Sequence, residues 1–271
     1  MKPLTFTLHQ RPEQRLDLSS LVPHFLVGKT AAQIERIELQ TTRVRVDVAE
    51  IFRLRMGDAE YLRIEGASDR FDRVGEGMTA GEIVVEGDVG IRAGRMMRGG
   101  RLTVHGTAGP WAASGMKAGV IEIFGTVADC LGGPLAGEMA GMRGGTVVVR
   151  GRAGERAGDR MRRGTIIIEG EAGSYAGSRM IAGTLIVGRK AGPLPGFLMK
   201  RGTIVLGAGC SAISPTFVDC GQHELLGMRL LAGFIDGYSK RGASLLRRPL
   251  QRLAGDMAVR GNGEILIGNR N

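Results

Sequence analysis

The feature that most constrains the fold of this sequence is a repeat of nineteen residues between Met78 and Gly207. The pair Met-x-x-Gly occurs seven times, and five of the six steps between copies are nineteen residues long, whereas the third is twenty-six. The copies are Met78/Gly81, Met97/Gly100, Met116/Gly119, Met142/Gly145, Met161/Gly164, Met180/Gly183 and Met199/Gly202. A short, fixed period over many copies is typical of a solenoid, in which each unit stacks on its neighbours.

Two columns of aliphatic residues predict one short strand in each repeat. The residues five and seven positions after each Met are always aliphatic, as in Ile83 and Val85 or Ile166 and Ile168. Side chains two positions apart on a strand point to the same face, so both columns should enter a core. Glycines before and after each strand indicate tight turns that need positive φ. The pattern therefore predicts an all-β fold, a right-handed parallel β-helix of about seven coils.

The seven repeated methionines should stack inside the coils. Thioether sulfurs suit Cu(I), so a metal-binding ladder is one interpretation. We favour packing, because Met is a flexible filler of apolar cores and this column is expected to be buried.

The chain divides into three expected parts. Residues 1–58 form an N-terminal segment of strands and a helix with a cap, residues 59–207 form the glycine-rich β-helix, and residues 208–271 form a C-terminal cap that contacts a partner. Tyr61–Gly66 resembles a repeat strand but misses the register, so we expect an atypical capping turn there. The seven extra residues between Met116 and Met142 form a bulge that we expect where another subunit binds.

Composition limits the cellular setting and the partners. The net charge is +10, which favours an acidic partner or ligand. The 3 cysteines have no paired spacing, and no long apolar run occurs, so we expect a cytoplasmic protein with no membrane partner. A nucleic-acid-binding module is the alternative that the charge suggests. We disfavour it, because aromatic residues make up only 4% of the chain and no recognised motif appears.

The residue six positions after each Met should point away from the core. Most members of this outward column are aliphatic, although a solvated strand face is usually polar. We therefore predict a partner interface at Val84, Val148, Ile167, Ile186 and Val205. The alternative is that a terminal segment of the same chain covers these residues.

The position directly after each Met is mostly basic. We define the basic column as Arg98, Lys117, Arg143 and Arg162, and Lys200 continues it, as do the neighbouring Arg163 and Arg201. Like charges on stacked strands repel each other unless an anion lies among them. The column therefore favours a site for a polyanion or an acidic subunit, and the alternative is a solvated face with the carboxylates of Glu155, Asp159 and Glu171 nearby.

Signals for catalysis are weak, and we predict no catalytic residue. The four histidines are scattered, and no spacing typical of a metal site or a phosphate loop occurs. The segment Cys220-Gly-Gln-His223-Glu224 is the one local group of a nucleophile, a base and a carboxylate, and we interpret it as a loop. The chain alone has the character of a scaffold.

The repeats resemble the glycine-rich β-helix shared by the C-terminal domain of the glutamate synthase large subunit and the C subunit of formylmethanofuran dehydrogenase. The copies GTVVVRGRAGERAGDRMRRGTIIIEG and GTIIIEGEAGSYAGSRMIAGTLIVG carry this pattern. The ending, Gly255-Asp256 followed by Gly261-Asn-Gly-Glu-Ile-Leu-Ile, is similar to that of the C subunit. The resemblance extends over residues 60–267, and the absence of a glutaminase or flavin-binding part favours the formylmethanofuran dehydrogenase family.

The resemblance implies a non-catalytic subunit of a complex in one-carbon metabolism. One such complex transfers a formyl group from formyl-tetrahydromethanopterin to a methanofuran-type carrier and hydrolyses it to formate. The other is a tungsten or molybdenum formylmethanofuran dehydrogenase, and we expect the hydrolase complex. In both, metals and formyl transfer belong to other subunits. Methanofuran-type carriers have glutamate-rich tails, so the resemblance implies that the basic column holds such a tail.

Overall fold

The computed structural model describes residues 2–41 and 44–268. Met1, Thr42 and Arg43 of the predicted N-terminal part and residues 269–271 of the C-terminal part lie outside the described residues. The chain is mainly β, and its principal feature is a long mixed, largely parallel sheet of 13 strands.

The elements follow in chain order. The first part contains β1 (Pro3–Leu8), β2 (Leu16–Asp17), α1 (Pro23–Leu26), α2 (Ala31–Glu35), β3 (Glu38–Thr41), β4 (Val46–Asp47), α3 (Val48–Ile51), β5 (Phe52–Arg55), β6 (Asp58–Ala67) and β7 (Phe71–Asp72). The repeats contain β8 (Glu82–Gly87), β9 (Arg98–Val104), β10 (Ala118–Ile123), β11 (Arg143–Val149), β12 (Arg163–Ile168), β13 (Thr184–Val187) and β14 (Thr203–Leu206). The last part contains β15 (Val218–His223), α4 (Leu226–Ile235), α5 (Lys240–Leu246), β16 (Leu250–Gly255), a short 3₁₀ helix (Met257–Val259) and β17 (Gly263–Gly268).

The seven strands β8 to β14 pair in parallel and in the register of the repeat, and we call each of them a rung. Ile83 pairs with Leu102 and Ile166 with Leu185, so equivalent positions of successive repeats are direct neighbours. Both predicted inward columns are confirmed, because all their members are fully buried. A second ladder of single-residue parallel bridges runs beside the rungs, from Val89 to Cys210.

The Met-x-x-Gly motif couples each rung to the next. All seven methionines of the motif are fully buried, as expected for core packing. The glycine of the next copy lies against the methyl group: a Cβ at Gly164 would be 3.0 Å from Cε of Met142 and 2.7 Å from the carbonyl oxygen of Gly145. Its φ of +95° also disfavours any residue with a side chain. The motif is therefore a packing contact between neighbouring repeats.

The prediction of a capping turn at Tyr61–Gly66 is wrong. These residues belong to β6, which pairs in parallel with β8 and places Leu62 beside Ile83. Leu62 and Ile64 enter the core in the columns of the repeat, although the spacing to the next strand is 21 residues instead of nineteen. β1 and β5 extend the sheet beyond β6, and β4, β3, β2 and β7 form a separate four-stranded sheet.

At the other end of the long sheet, β17 pairs in parallel with β14, and β16 and β15 follow as antiparallel strands. The last strand expected from the sequence, Glu264–Ile267, is thus a direct continuation of the stack. α4 and α5 pack together over one face of the sheet. Among the described residues, no helix is long and apolar enough to cross a membrane.

Candidate functional site

The backbone of neighbouring repeats holds the basic column in register. The amide of each member donates to the carbonyl oxygen of the Met in the preceding repeat, for example Arg143 to Met116 at 2.7 Å and Arg162 to Met142 at 2.8 Å. Strands paired in this way lie about 4.8 Å apart. Successive cationic side chains therefore leave the same edge of the rungs as close neighbours.

A cavity of about 680 Å³ opens on this edge, and we call it the basic groove. Its lining residues are Arg143, Arg162, Arg163, Ile181, Ala182, Lys200 and Arg201. Five of these seven residues are cationic and none is acidic. All five cations are exposed, and within the described chain none of their side chains forms a salt bridge.

The shape of the groove follows from the lengths of the side chains along the repeat. The two positions after the repeated Met hold Arg162 and Arg163 in one repeat and Lys200 and Arg201 two repeats later. Between them, the same positions hold the short apolar pair Ile181 and Ala182. The long cations form two walls, and the short pair leaves a partly buried floor between them.

The electrostatics of the groove favour an anionic ligand. Several guanidinium and ammonium groups around one cavity repel each other, and this repulsion is relieved when an anion enters. The carboxylates that the sequence offered as neutralising partners do not fill that role. Asp159 accepts from Arg179 at 2.7 Å, and the exposed Glu155 and Glu171 form no salt bridge in the described part of the chain. The lining of the groove thus holds five cations and no carboxylate.

The structure brings together only part of the predicted basic column. Arg143 and Arg162 line the groove, whereas Arg98 and Lys117 are exposed on earlier repeats and do not line it. Lys200 was visible in the sequence as a continuation of the column. The contribution of Ile181 was missed, because the sequence showed it as a break in the column instead of the floor of a cavity.

The predicted partner interface is corrected by the structure at four of its five residues. Val148, Ile167, Ile186 and Val205 are at most 1% exposed, and they form a second core with α4, α5 and β17. The alternative drawn from the sequence, that a terminal segment of the chain covers the column, therefore describes these four residues. Val84 is only partly buried and remains a candidate contact residue.

The seven-residue insertion extends a turn of the repeat, and the backbone hydrogen bond that closes this turn is kept. The amide of Met142 donates to the carbonyl oxygen of Gly132 at 2.7 Å, as Met161 does to Gly158 without an insertion. Within the insertion, Glu138 receives two hydrogen bonds from Arg95, at 2.7 and 3.3 Å. Arg95 holds the pKa of the Glu138 carboxyl below its usual value, and the backbone amide of Leu135 adds to this effect.

The group of residues at Cys220–Glu224 does not form a catalytic arrangement. It lies on the exposed strand β15 and the residue after it, and Nε2 of His223 contacts the backbone carbonyl oxygen of Cys220 at 2.8 Å. The imidazole therefore binds the backbone instead of the thiol. In the described ranges, no group of three or more His, Cys, Asp or Glu side chains is placed to hold a metal ion.

These features define a mainly β protein of parallel, in-register repeat strands with a groove lined by five cations at one edge. No family model matches the sequence. The chain is 46% identical over 254 residues to the C subunit of the formyltransferase/hydrolase complex (Fhc) of Methylorubrum extorquens, and the match covers 94% of this chain and 95% of that protein. It also matches a chain in the crystal structure of FhcABCD from the same organism in complex with methylofuran, with a TM-score of 0.94 and 40% identity over 98% of this chain and 100% of that one. The chain belongs to the family of the C subunit of the formyltransferase/hydrolase complex.

Proposed function

We propose that this chain is the non-catalytic scaffold subunit of a cytoplasmic formyltransferase/hydrolase complex. The complex would transfer a formyl group from formyl-tetrahydromethanopterin to a methanofuran-type carrier and hydrolyse it to formate, with metals in the other subunits. The relative from Methylorubrum extorquens belongs to such a complex, and this supports the proposal over the tungsten or molybdenum dehydrogenase. Purification of the chain at native levels without any other subunit would contradict it.

The basic groove would hold the glutamate-rich tail of the carrier. The observation that carries this proposal is the cavity of about 680 Å³, whose lining has no carboxylate and five cations that form no salt bridge among the described residues. The complex of the relative was solved with methylofuran, which fits a role for such a carrier in this family. Each carboxylate of a tail that enters the groove would replace repulsion between cations with attraction. Arg98 and Lys117 would extend the path of the tail along earlier repeats.

The test is a triple substitution in the groove, Arg143→Gln with Arg162→Gln and Lys200→Gln, in the assembled complex. We expect carrier binding to weaken by about tenfold or more and to lose most of its dependence on salt, because screened ion pairs would be removed. The measurement is titration of the carrier at several salt concentrations. Unchanged affinity would contradict the proposal.

A matched control separates a local effect from a change of net charge. Arg11→Gln, Arg36→Gln and Arg53→Gln remove the same charge from exposed positions of the N-terminal part. This control should bind the carrier like the unsubstituted complex. The competing hypothesis is that the groove docks an acidic subunit, and in that case the groove variant would leave the complex during size-exclusion chromatography.

We also infer that the repeats coil as a right-handed parallel β-helix, with the three parts of the chain divided at residues 58 and 207. The support is the pair of parallel ladders, one of rungs and one of single-residue bridges, that repeat with the same spacing. A crystal structure in which the two ladders do not form separate walls of one coil would contradict this inference.

A further inference from the structure

Helix α4 is apolar on two faces. Its inner face packs Ala232 and Ile235, both fully buried, onto the second core described above. Its outer face carries Leu226, Leu230 and Phe234, which are 71%, 70% and 55% exposed. These three residues are four positions apart and therefore lie along one side of the helix. A helix at a protein surface normally carries polar residues on its outer side, and a helix that is apolar all round is normally buried.

One cationic residue lies beside this outer face on the helix itself. Arg229 is the one charged residue in the sequence of α4, and it is exposed. Its side chain forms no salt bridge within residues 44–268. Of the two carboxylates nearest to α4 in the sequence, Asp236 already pairs with Lys240 and with Arg247, whereas the exposed Glu224, two residues before the helix, forms no salt bridge among the described residues. Arg229 is therefore the charged group of α4 beside the exposed apolar side, and no carboxylate among the described residues forms a salt bridge with it.

The backbone of α4 is also accessible from outside. A Cβ added at Gly227 or at Gly233 would meet no atom within 4 Å. Another polypeptide could therefore approach the helix closely between the large side chains. The inner face is fixed on the sheet, so the outer face is presented on a rigid support, which lowers the entropy lost on docking.

We propose that the outer face of α4, formed by Leu226, Leu230 and Phe234 with Arg229 at its rim, docks onto a different subunit of the proposed complex. Its partner surface would be apolar at the centre and bordered by carboxylates. This inference rests on the proposed function. A second copy of this chain is a poor occupant, because a twofold contact would bring Arg229 and its counterpart together on two chains of net charge +10.

The first test is the variant Leu226→Ser with Leu230→Ser and Phe234→Ser, coexpressed with the other subunits. The side chains are largely exposed, so circular dichroism and the melting temperature of the isolated chain should be unchanged. Recovery of the chain in the complex should fall by about tenfold or more, because apolar anchors at the centre of an interface supply most of its affinity.

The matched control replaces three apolar residues of similar exposure in the N-terminal part. Val27→Ser, Val44→Ser and Met56→Ser change residues that are 55%, 62% and 47% exposed. This variant should join the complex like the unsubstituted chain. An equal loss in both variants would mean that surface hydrophobicity in general, and not α4, governs assembly, and would overturn the proposal.

The second test addresses the acidic border of the partner surface. Arg229→Glu should weaken assembly by about tenfold and Arg229→Gln by about threefold, and the difference should shrink at high salt. Equal assembly of both variants and the unsubstituted chain would overturn the charged part of the proposal.

The outcomes separate this proposal from the proposed function. If the unsubstituted chain joins no other subunit, both fail; if the Ser variant joins as well as the unsubstituted chain, only the docking face fails. Two further results would also overturn the proposal that the outer face of α4 docks onto another subunit. One is a dimer of the isolated chain that the Ser variant abolishes, and the other is sedimentation with vesicles of phosphatidylserine and phosphatidylcholine that the same variant abolishes.

Discussion

The outward column of the repeats has two halves. Both halves lie on strands that pair in the same register, but helices pack over only one of them. The first three residues, the open half, are only partly buried, whereas the last four, the covered half, lie beneath α4 and α5. The open half is Val84, Thr103 and Glu122, and the covered half is Val148, Ile167, Ile186 and Val205. Pairing continues in register across the border, where Glu122 faces Val148. The pairing of the backbone thus does not decide which repeats are covered.

A polar network marks the border between the halves. Arg150 donates to Glu122 at 3.0 Å and to Glu169 at 2.8 Å, so it links the last open repeat to the covered ones. Glu169 also accepts from the hydroxyl of Ser239 at 2.6 Å, and Ser239 caps the start of α5. Helices α4 and α5 therefore pack over the outward column only up to the repeat in which its side chain becomes polar.

The largest effect is expected from a charge placed in the covered half. Ile186→Asp would bury a carboxylate without a partner beneath α4 and α5, where Ile186 has no exposed surface. The free energy of unfolding should fall by about 4 kcal/mol, because a buried ion without a partner is strongly unfavourable. Unfolding in guanidinium chloride measures this loss.

The equivalent change in the open half is the control. Val84→Asp should lower the free energy of unfolding by less than about 1 kcal/mol, because this position is partly exposed and its charge stays solvated. If both substitutions destabilise the protein equally, cover by the helices is not the difference between the halves.

A smaller effect is expected at the border. Arg150→Gln would leave the carboxylates of Glu122 and Glu169 without the guanidinium between them. The free energy of unfolding should fall by about 1–2 kcal/mol at low salt and by less at high salt, since the side chains are partly exposed. The comparison is Arg101→Gln, whose guanidinium lies 3.9 Å from Glu122 and is 44% exposed, and which should change stability by less than about 0.5 kcal/mol. Equal effects would show that Arg150 does not link the halves.

The sequence predicted the strands of the repeats well. The nineteen-residue spacing predicted β8 to β14 and both inward columns, because each repeat carries the same local signals. That a terminal segment of the chain packs over Ile167 and Ile186 was only the alternative to the predicted partner interface. α4 contains Gly227 and Gly233 and has no side-chain N-cap, so its helical signal is weak, and the chain folds back over distant repeats in a way that no local pattern encodes.

The sequence likewise predicted only part of the candidate groove. Arg143 and Arg162 were identified because the basic column follows the repeat. The cavity depends on Ile181 and Ala182 being short beside longer neighbours, and only the positions of adjacent repeats in space reveal that difference. The strand β6 was missed for the opposite reason, since its packing follows the repeat but its spacing of 21 residues does not.

The smallest predicted effect concerns the insertion, which lies between the last open repeat and the first covered one. The pKa of Glu138 is lowered in the folded chain by Arg95, so its ionised form stabilises the closed insertion at pH values above the pKa of the unfolded chain, about 4.3. This contribution should be lost as the pH falls through the lowered folded value. Glu138→Gln should therefore reduce the free energy of opening by up to about 1 kcal/mol at pH 7 and should have no effect at low pH.

Hydrogen exchange of the amides between residues 133 and 139 measures this opening, with intrinsic rates corrected at each pH. The amide of Leu135 is the most direct reporter, because it donates to Glu138 at 3.0 Å. Glu171→Gln serves as the control, since this exposed carboxylate forms no salt bridge in the described ranges. A difference between Glu138→Gln and the unsubstituted chain that persists at low pH would mean that the shape of the side chain, and not its charge, closes the insertion.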